Sequence, residues 1–337
     1  MNPGALLRRI FITACMITRT TELAVRRLGA GFFLPALFIR RYAEMGGLDR
    51  ELFIRQLGGV RSLKDAAWCR YWNTIAEAEL AHAEEAVKGI VKDADVAALR
   101  EQIRRAGPAI VDLLTGDKVP SNAPASASSS DVPAERIVSG LRHLIKAITY
   151  YQVSAFPGGS PARLEAYRAS RILFDRLLEI VGTTLDVSIE RHQVVVDDEV
   201  VDGYLILPLG KQACPVVIAT NGLEGTVQEL VIPLIRYRHS GLAVFVMEMP
   251  GTYSYRRPMS ADSEKYYHRV IDDIAAHPRV DASRIGFVGV SFGGYWAARM
   301  AAASQRLRCV VACGAPTHHS FLTTSAIGMP DIIVRAL

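Results

Sequence analysis

The sequence has no Cys-x-x-Cys pair, and no group of cysteine and histidine sits at zinc-ligand spacing. Its five cysteines, Cys15, Cys69, Cys214, Cys309 and Cys313, are scattered. That excludes a disulfide scaffold and a zinc-ribbon type of fold, and it predicts free thiols in a reducing compartment. Cys309 and Cys313 fall in a run that reads as a buried strand. Long apolar runs are missing too. Arg8-Arg9 precede IFITACMI, but this run is too short to cross a bilayer, and no small-residue cleavage site follows before Arg19. A cytoplasmic protein is the expectation. Basic charge is scarce outside the first segment. Of a net +5, residues 1–42 supply +6, with seven arginines, no lysine and one acid, Glu22. The rest is nearly neutral, which excludes a nucleic-acid-binding surface on the main body. Residues 1–42 read as a basic amphipathic arm that packs on the body or a partner, with weak membrane-surface contact as the second reading.

What is there divides by periodicity. Residues 1–113 carry helix formers at helical apolar spacing, as in LDRELFIRQL (48–57) and YWNTIAEAELAHAEEAVKGIV (71–91). A Pro/Ser/Ala-rich stretch at 116–135 has almost no hydrophobic anchor and reads as a flexible insert. Helical patterns resume at 136–156 and 161–181, with Ser160 as N-cap and Pro161 as first helical residue of the second. From about 186 the period becomes strand-like. VSIERHQVVV and VDGYLILP flank Asp197-Asp198-Glu199 as a hairpin. CPVVIAT, LAVFVME, RIGFVGV and RCVVACG are short continuous apolar runs separated by helical stretches, the pattern of a parallel sheet covered on both faces. The expected fold is α/β, a mostly parallel sheet at 186–337 behind an all-helical cap at 43–181.

One motif carries chemistry. Gly289-Val-Ser291-Phe-Gly293-Gly294 stands between a strand and an alanine-rich helix. Gly-x-Ser-x-Gly alone arises by chance roughly one time in ten in a chain this long. Placed between strand and helix, it reads as a nucleophile elbow, with Ser291 on a strained turn over a helix N-terminus. The N–H of Phe292 is one expected oxyanion donor. The second comes from ATNGLEGT (219–226), at Leu223 or a neighbour, with Gly222 allowing a tight approach. Tyr253 in EMPGTYSY, and His318 and His319 in GAPTHH, are candidate substrate contacts on the same sheet edge. Asp281 precedes the elbow strand and therefore belongs at its opposite end, in a turn role. His268 and His277 read as solvated or capping. His82, His143, His192 and His239 have no partner motif.

Only 46 residues follow Ser291. In the α/β-hydrolase order an acid and then a histidine follow the serine, each after a later strand. No matching pair is found here, so the sheet is expected to be incomplete at its C-terminal side and this chain alone to be a poor hydrolase.

With these features in place, the chain resembles the α/β-hydrolases with an N-terminal helical cap: FrsA-like esterases, 2,6-dihydroxypseudooxynicotine hydrolase and fungal polyketide-shortening hydrolases. The resemblance rests on RSLKDAAWCRYW, AITYYQVSAF with EAYRASRILF, DGYLILP, PVVIATNGLEG, MEMPGTYSY, and VDASRIGFVGVSFGGYWAARMAA followed by GAPTHH. It implies a cap over a serine-based pocket, a small-molecule substrate such as an ester or an activated ketone C–C bond, no metal or organic cofactor, and a homodimer. Of the Ser-Asp-His triad it implies, only Ser291 has a matching position. The competing expectation is a catalytically impaired or truncated hydrolase fold that serves as a binding module, or a gene fragment.

Overall fold

A computed structural model describes residues 3–90, 96–115, 132–182, 184–185, 187–210 and 212–317. Helices make up the first part: α1 (Pro3–Ile17), α2 (Thr21–Leu28), α3 (Ala36–Arg40), α4 (Arg50–Gly59), α5 (Asp65–Val87), α6 (Val96–Thr115), α7 (Val132–Ala155) and α8 (Pro161–Val181). The alternating part follows: β1 (Val187–Val196), β2 (Glu199–Pro208), β3 (Cys214–Thr220), α9 (Gln228–Ile235), β4 (Ala243–Met247), α10 (Glu264–Ala275), β5 (Val280–Val290), α11 (Phe292–Ala303) and β6 (Leu307–Cys313). The switch of period near Gly182 is a real change of architecture. Of the expected insert, residues 116–131 lie outside the described residues, and 132–135 already belong to α7. Among the described residues no helix is long and apolar enough to cross a membrane.

Local chemistry sets several boundaries. Ser160 caps α8 by accepting from the Arg163 N–H, with Pro161 at the first turn. Asp49 does the same for α4 through the Leu52 N–H at 2.7 Å. Val196 pairs with Glu199, leaving a two-residue hairpin turn whose first residue, Asp197, has φ 54°. Asp281 lies at the irregular start of β5. The hydroxyl and N–H of Ser283 and the guanidinium of Arg284 hold its carboxyl at about 2. It is far from the elbow, as its place in the sequence implied.

The sheet order is β1-β2-β4-β3-β5-β6, with the β1–β2 and β2–β4 pairs antiparallel and the rest parallel. Strand side chains alternate between two cores, as a period of two requires. Leu205, Leu207, Phe245, Met247, Val216 and Ile218 join Phe287, Tyr267 and Trp296 on the α10/α11 side. Tyr204, Ile206, Val244 and Val246 join Ile110, Phe174 and Val231 on the other. On that side α6, α7 and α8 share one core with α9 and the sheet. A third core, built from Phe38, Tyr42, Phe53, Trp68 and Trp72, buries against Tyr150, Val153 and Tyr167 of α7 and α8. Trp72 is fully buried and stacks on Tyr150 with ring centroids 5.9 Å apart.

Two expectations need correction or refinement. The apolar run of β6 suggested burial on both faces, yet Cys309 and Cys313 are exposed and Val311 is 52% exposed. Among the described residues β6 is the edge strand, so its outer side has no neighbour. A hydrophobic run alone does not distinguish an edge from a centre. Within the basic arm, Arg8 donates to the carbonyls of Phe32 and Leu34 at 2.8 and 2.9 Å, and Phe11 meets the Phe32 ring. The arm joins the body where Glu22 accepts from the Ser62 hydroxyl and where Phe38 and Tyr42 enter the third core. Leu7, Ile10 and Ile17 of α1 are exposed.

Candidate active site

β4 and β5 flank β3 on opposite sides, so the loops leaving β3 and β5 face one another across the switch point of a parallel sheet, where such folds form crevices. Ser291 stands there, between β5 and α11, with φ 56° and ψ −123°. A non-glycine residue at positive φ is strained and persists only where its surroundings dictate it. Those surroundings are glycines. A Cβ on Gly289 would lie 1.9 Å from the Gly293 carbonyl oxygen, and one on Gly293 would lie 2.4 Å from that of Asn221. The Ser291 N–H donates to the Cys313 carbonyl at 2.8 Å, tying the turn to the end of β6. Ser291 is exposed, and α11 starts at the next residue.

The loop after β3 meets the serine. A Cβ on Gly222 would lie 2.7 Å from Ser291 Cβ, 2.9 Å from Ser291 Oγ and 2.9 Å from the Phe292 nitrogen. Only glycine allows this approach. The structure thus brings together Ser291, Phe292, Gly222 and its neighbour Leu223. The loop is tightly self-bonded: Asn221 Nδ2 donates to the Thr226 carbonyl at 2.8 Å, Gly225 N–H to the Gly222 carbonyl at 3.2 Å, and Glu224 has φ 60°.

The helical part holds this loop from outside. Directly after α3 the chain makes a π-helical turn, Arg41–Met45, which aims Arg41 at the loop. Arg41 donates to the Glu224 carbonyl and to both carboxylate oxygens of Glu229, at 2.6 Å to Oε2. Glu229 also accepts from the Thr226 N–H at 3.0 Å. Burial opposes the charge on Arg41, but Glu229 and Tyr42 outweigh it and raise its pKa above the ordinary value. The Glu224 carboxylate accepts from the Gly158 N–H, in the turn joining α7 to α8, and Gln152 of α7 donates to Thr226 Oγ1 at 3.3 Å.

Tyr253 is placed in the seam between these parts. Its ring stacks on Tyr167 with centroids 4.8 Å apart, and its hydroxyl donates to the Glu224 carbonyl at 3.3 Å. Burial raises its pKa well above the usual phenol value. Behind it, at the end of β4, Glu248 is fully buried. It accepts from the Tyr167 hydroxyl at 2.9 Å, Ser254 Oγ at 2.8 Å and the Val227 N–H at 3.3 Å. Burial raises its carboxyl despite the charge of Arg171 nearby. His318 and His319 lie outside the described residues. No described histidine belongs to the loops meeting at Ser291. His268 pairs with Glu264, and His192 Nε2 pairs with the Asp273 carboxylate at 2.7 Å. The surface depressions on the sheet side, one of about 430 Å³ lined by Val195, Lys265 and Asp272, lie beside β1 and α10, away from the elbow.

Sequence reasoning missed Arg41, Glu229 and Glu248, since no local motif announces them. It also gave His82 and His143 no partner. The structure pairs His143 with Glu79 at 2.6 Å and sets the His82 ring 5.3 Å from that of His143. The available signal was Glu79-x-x-His82, two ligating side chains one helical turn apart.

A family model described as esterase FrsA-like matches residues 131–337. The 2,6-dihydropseudooxynicotine hydrolase of Paenarthrobacter nicotinovorans is 32% identical over 128 residues, 37% of this chain and 35% of that protein. Esterase FrsA of Escherichia fergusonii is 27% identical over 187 residues, 54% of this chain and 44% of that protein. The chain therefore spans less than half the length of these curated relatives. Among solved structures, AbyA5 matches with a TM-score of 0.52 and 28% identity over 75% of this chain and 66% of that one. The 2,6-dihydroxy-pseudo-oxynicotine hydrolase crystal structure matches with a TM-score of 0.54 and 22% identity over 81% and 63%. The fold is that of the α/β-hydrolases.

Proposed function

The chain belongs to the FrsA-like esterase family, and from that premise we propose that it carries the nucleophile and oxyanion elements of a serine hydrolase acting on a small carbonyl substrate. The observation that carries this reading is the positive-φ Ser291 with Gly222 packed against it. Ser291 Oγ attacks the carbonyl carbon of an ester or an activated ketone while its proton passes to a general base. The developing oxyanion accepts from the N–H groups of Phe292 and Leu223. The carbonyl re-forms as the alcohol or carbanion leaves with a proton, and water then releases the acyl group. Tyr253 braces the oxyanion loop on the side facing the cap and forms the pocket wall there. His318 and His319 are the histidines that follow Ser291 in this sequence, and either one is the candidate base.

The test is labelling of the full chain with a fluorophosphonate, beside turnover of a short-chain aryl ester. The wild type should label and Ser291→Ala should not. Turnover lost in His319→Ala with labelling retained at a slower rate assigns the base to that residue. A wild type that does not label favours the second reading, a binding module on a hydrolase fold.

A further inference from the structure

We propose that Glu79, His82 and His143 bind one divalent transition-metal ion that clamps α5 to α7. Each offers one ligating atom, and these atoms all lie within 4.8 Å of one another. Glu79 and His82 are three residues apart on α5 and so share a face, and His143 reaches them from α7. The Glu79–His143 contact already brings two of the ligands to 2.6 Å. An ion at about 2.0–2.2 Å from each ligand needs them about 3.3 Å apart. Small rotations about the side-chain bonds open the first pair and draw in the His82 ring, which stands 5.3 Å from that of His143.

The donor set selects the ion. Two imidazoles and one carboxylate suit zinc, nickel, cobalt or copper, whereas magnesium and calcium prefer shells of oxygen. His82 is exposed, which gives the ion an entry path and leaves room for water to complete the shell.

The position assigns the ion a structural role. The antiparallel contact of α5 and α7 is fastened at its other end by Trp68 Nε1 donating to the Val153 carbonyl at 2.9 Å. His143 lies 12 residues before Ala155, the last residue of α7, or about 18 Å along the helix axis. The ion therefore touches no substrate at Ser291. It adds to the fastening at that far end, where Arg136 of α7 donates to the Ala86 carbonyl of α5 at 2.8 Å, and fixes the register of the two helices between Arg136 and Trp68.

The experiment uses the full chain without an affinity tag, stripped with a chelator. Zinc titration by calorimetry, cobalt d–d absorption and thermal melting are compared for the wild type and for His82→Ala, His143→Gln and Ser291→Ala. The expected result is one zinc per chain in the micromolar range or tighter, a cobalt spectrum of low coordination number, and a melting temperature raised by zinc but not by magnesium. His82→Ala, at an exposed position that leaves folding intact, should bind zinc at least about tenfold more weakly, since even outer-sphere changes cost that much. Ser291→Ala should bind like the wild type, which separates this site from the fate of the hydrolase reading. Zinc binding weaker than about 1 mM, or unchanged in both histidine variants, would overturn the proposal and leave an ordinary Glu–His pair.

Discussion

Replacing Arg41 by methionine removes the cation that spans the oxyanion loop and the first helix after it. The side chains of Arg41 and Glu229 are 19% and 7% exposed, so the pair is largely dry. Without Arg41, Glu229 keeps only the Thr226 N–H among its partners described above, and the Glu224 carbonyl loses its charged donor. Truncating one member of a buried pair costs about 3–5 kcal/mol. The partial exposure of Arg41 and the surviving N–H place this case at the low end, about 3 kcal/mol. For a chain of this size that is a fall in melting temperature of roughly 4 °C. Replacing both residues by methionine removes the stranded charge, so the double variant should recover much of the loss, with a coupling of about 2 kcal/mol. The assay is a double-mutant cycle of Arg41→Met and Glu229→Met by urea unfolding, with fluorophosphonate labelling of Ser291 as a second readout. Labelling should slow by about tenfold or more in Arg41→Met, because small misplacements of reacting groups are costly. A single variant within about 1 kcal/mol of wild type, or a double variant no better than the single, would refute the reasoning.

Gly222→Ala puts a methyl group 2.7 Å from Ser291 Cβ and should cut labelling by about 10²–10³-fold, the scale of losing an oxyanion donor, while far-ultraviolet circular dichroism stays unchanged. Glu248 has a folded pKa above its ordinary 4.5, so the native state favours the proton. Its contribution to stability is therefore fullest at pH below 4.5 and is lost as pH rises through the raised value. Melting curves of Glu248→Gln against wild type from pH 4 to 8 should show the wild type losing ground as pH rises; a flat difference would count against this. Trp72→Ala should cost about 3–5 kcal/mol in urea unfolding, since it empties the centre of the aromatic core of the helical half.

What the sequence revealed follows the range of the interactions concerned. The elbow was legible because strand, glycines, serine and helix lie within 17 consecutive residues, Arg284 to Met300, and the strain at Ser291 is dictated by neighbours in that run. Gly222 was legible as a turn, but its contact with Ser291 needed the β3–β5 pairing. Arg41 was not legible, since its partners lie 183 and 188 residues away and a π turn that no pattern announces sets its direction. The exposure of Cys309 and Cys313 was hidden for another reason. Apolar runs encode strand propensity, whereas strand order decides which strand has a neighbour.

The aromatic core of the helical half also sets a timetable for synthesis. Trp68 and Trp72 leave the ribosome early, but Tyr150, Val153 and Tyr167, which cover them, come some 80 to 100 residues later. At about 5–20 residues per second that is an interval of roughly 4–20 s with half a core made. A nascent chain stalled before α8 therefore presents a tryptophan-rich surface with nothing to close it. The same holds in mirror image for a fragment cut at residue 131, where the family match begins: it keeps the loops at Ser291 but loses Arg41 and uncovers the Tyr150 face of α7. The start of that match is thus no boundary in folding, and expression of the two pieces from separate genes should yield soluble protein only when both are made together.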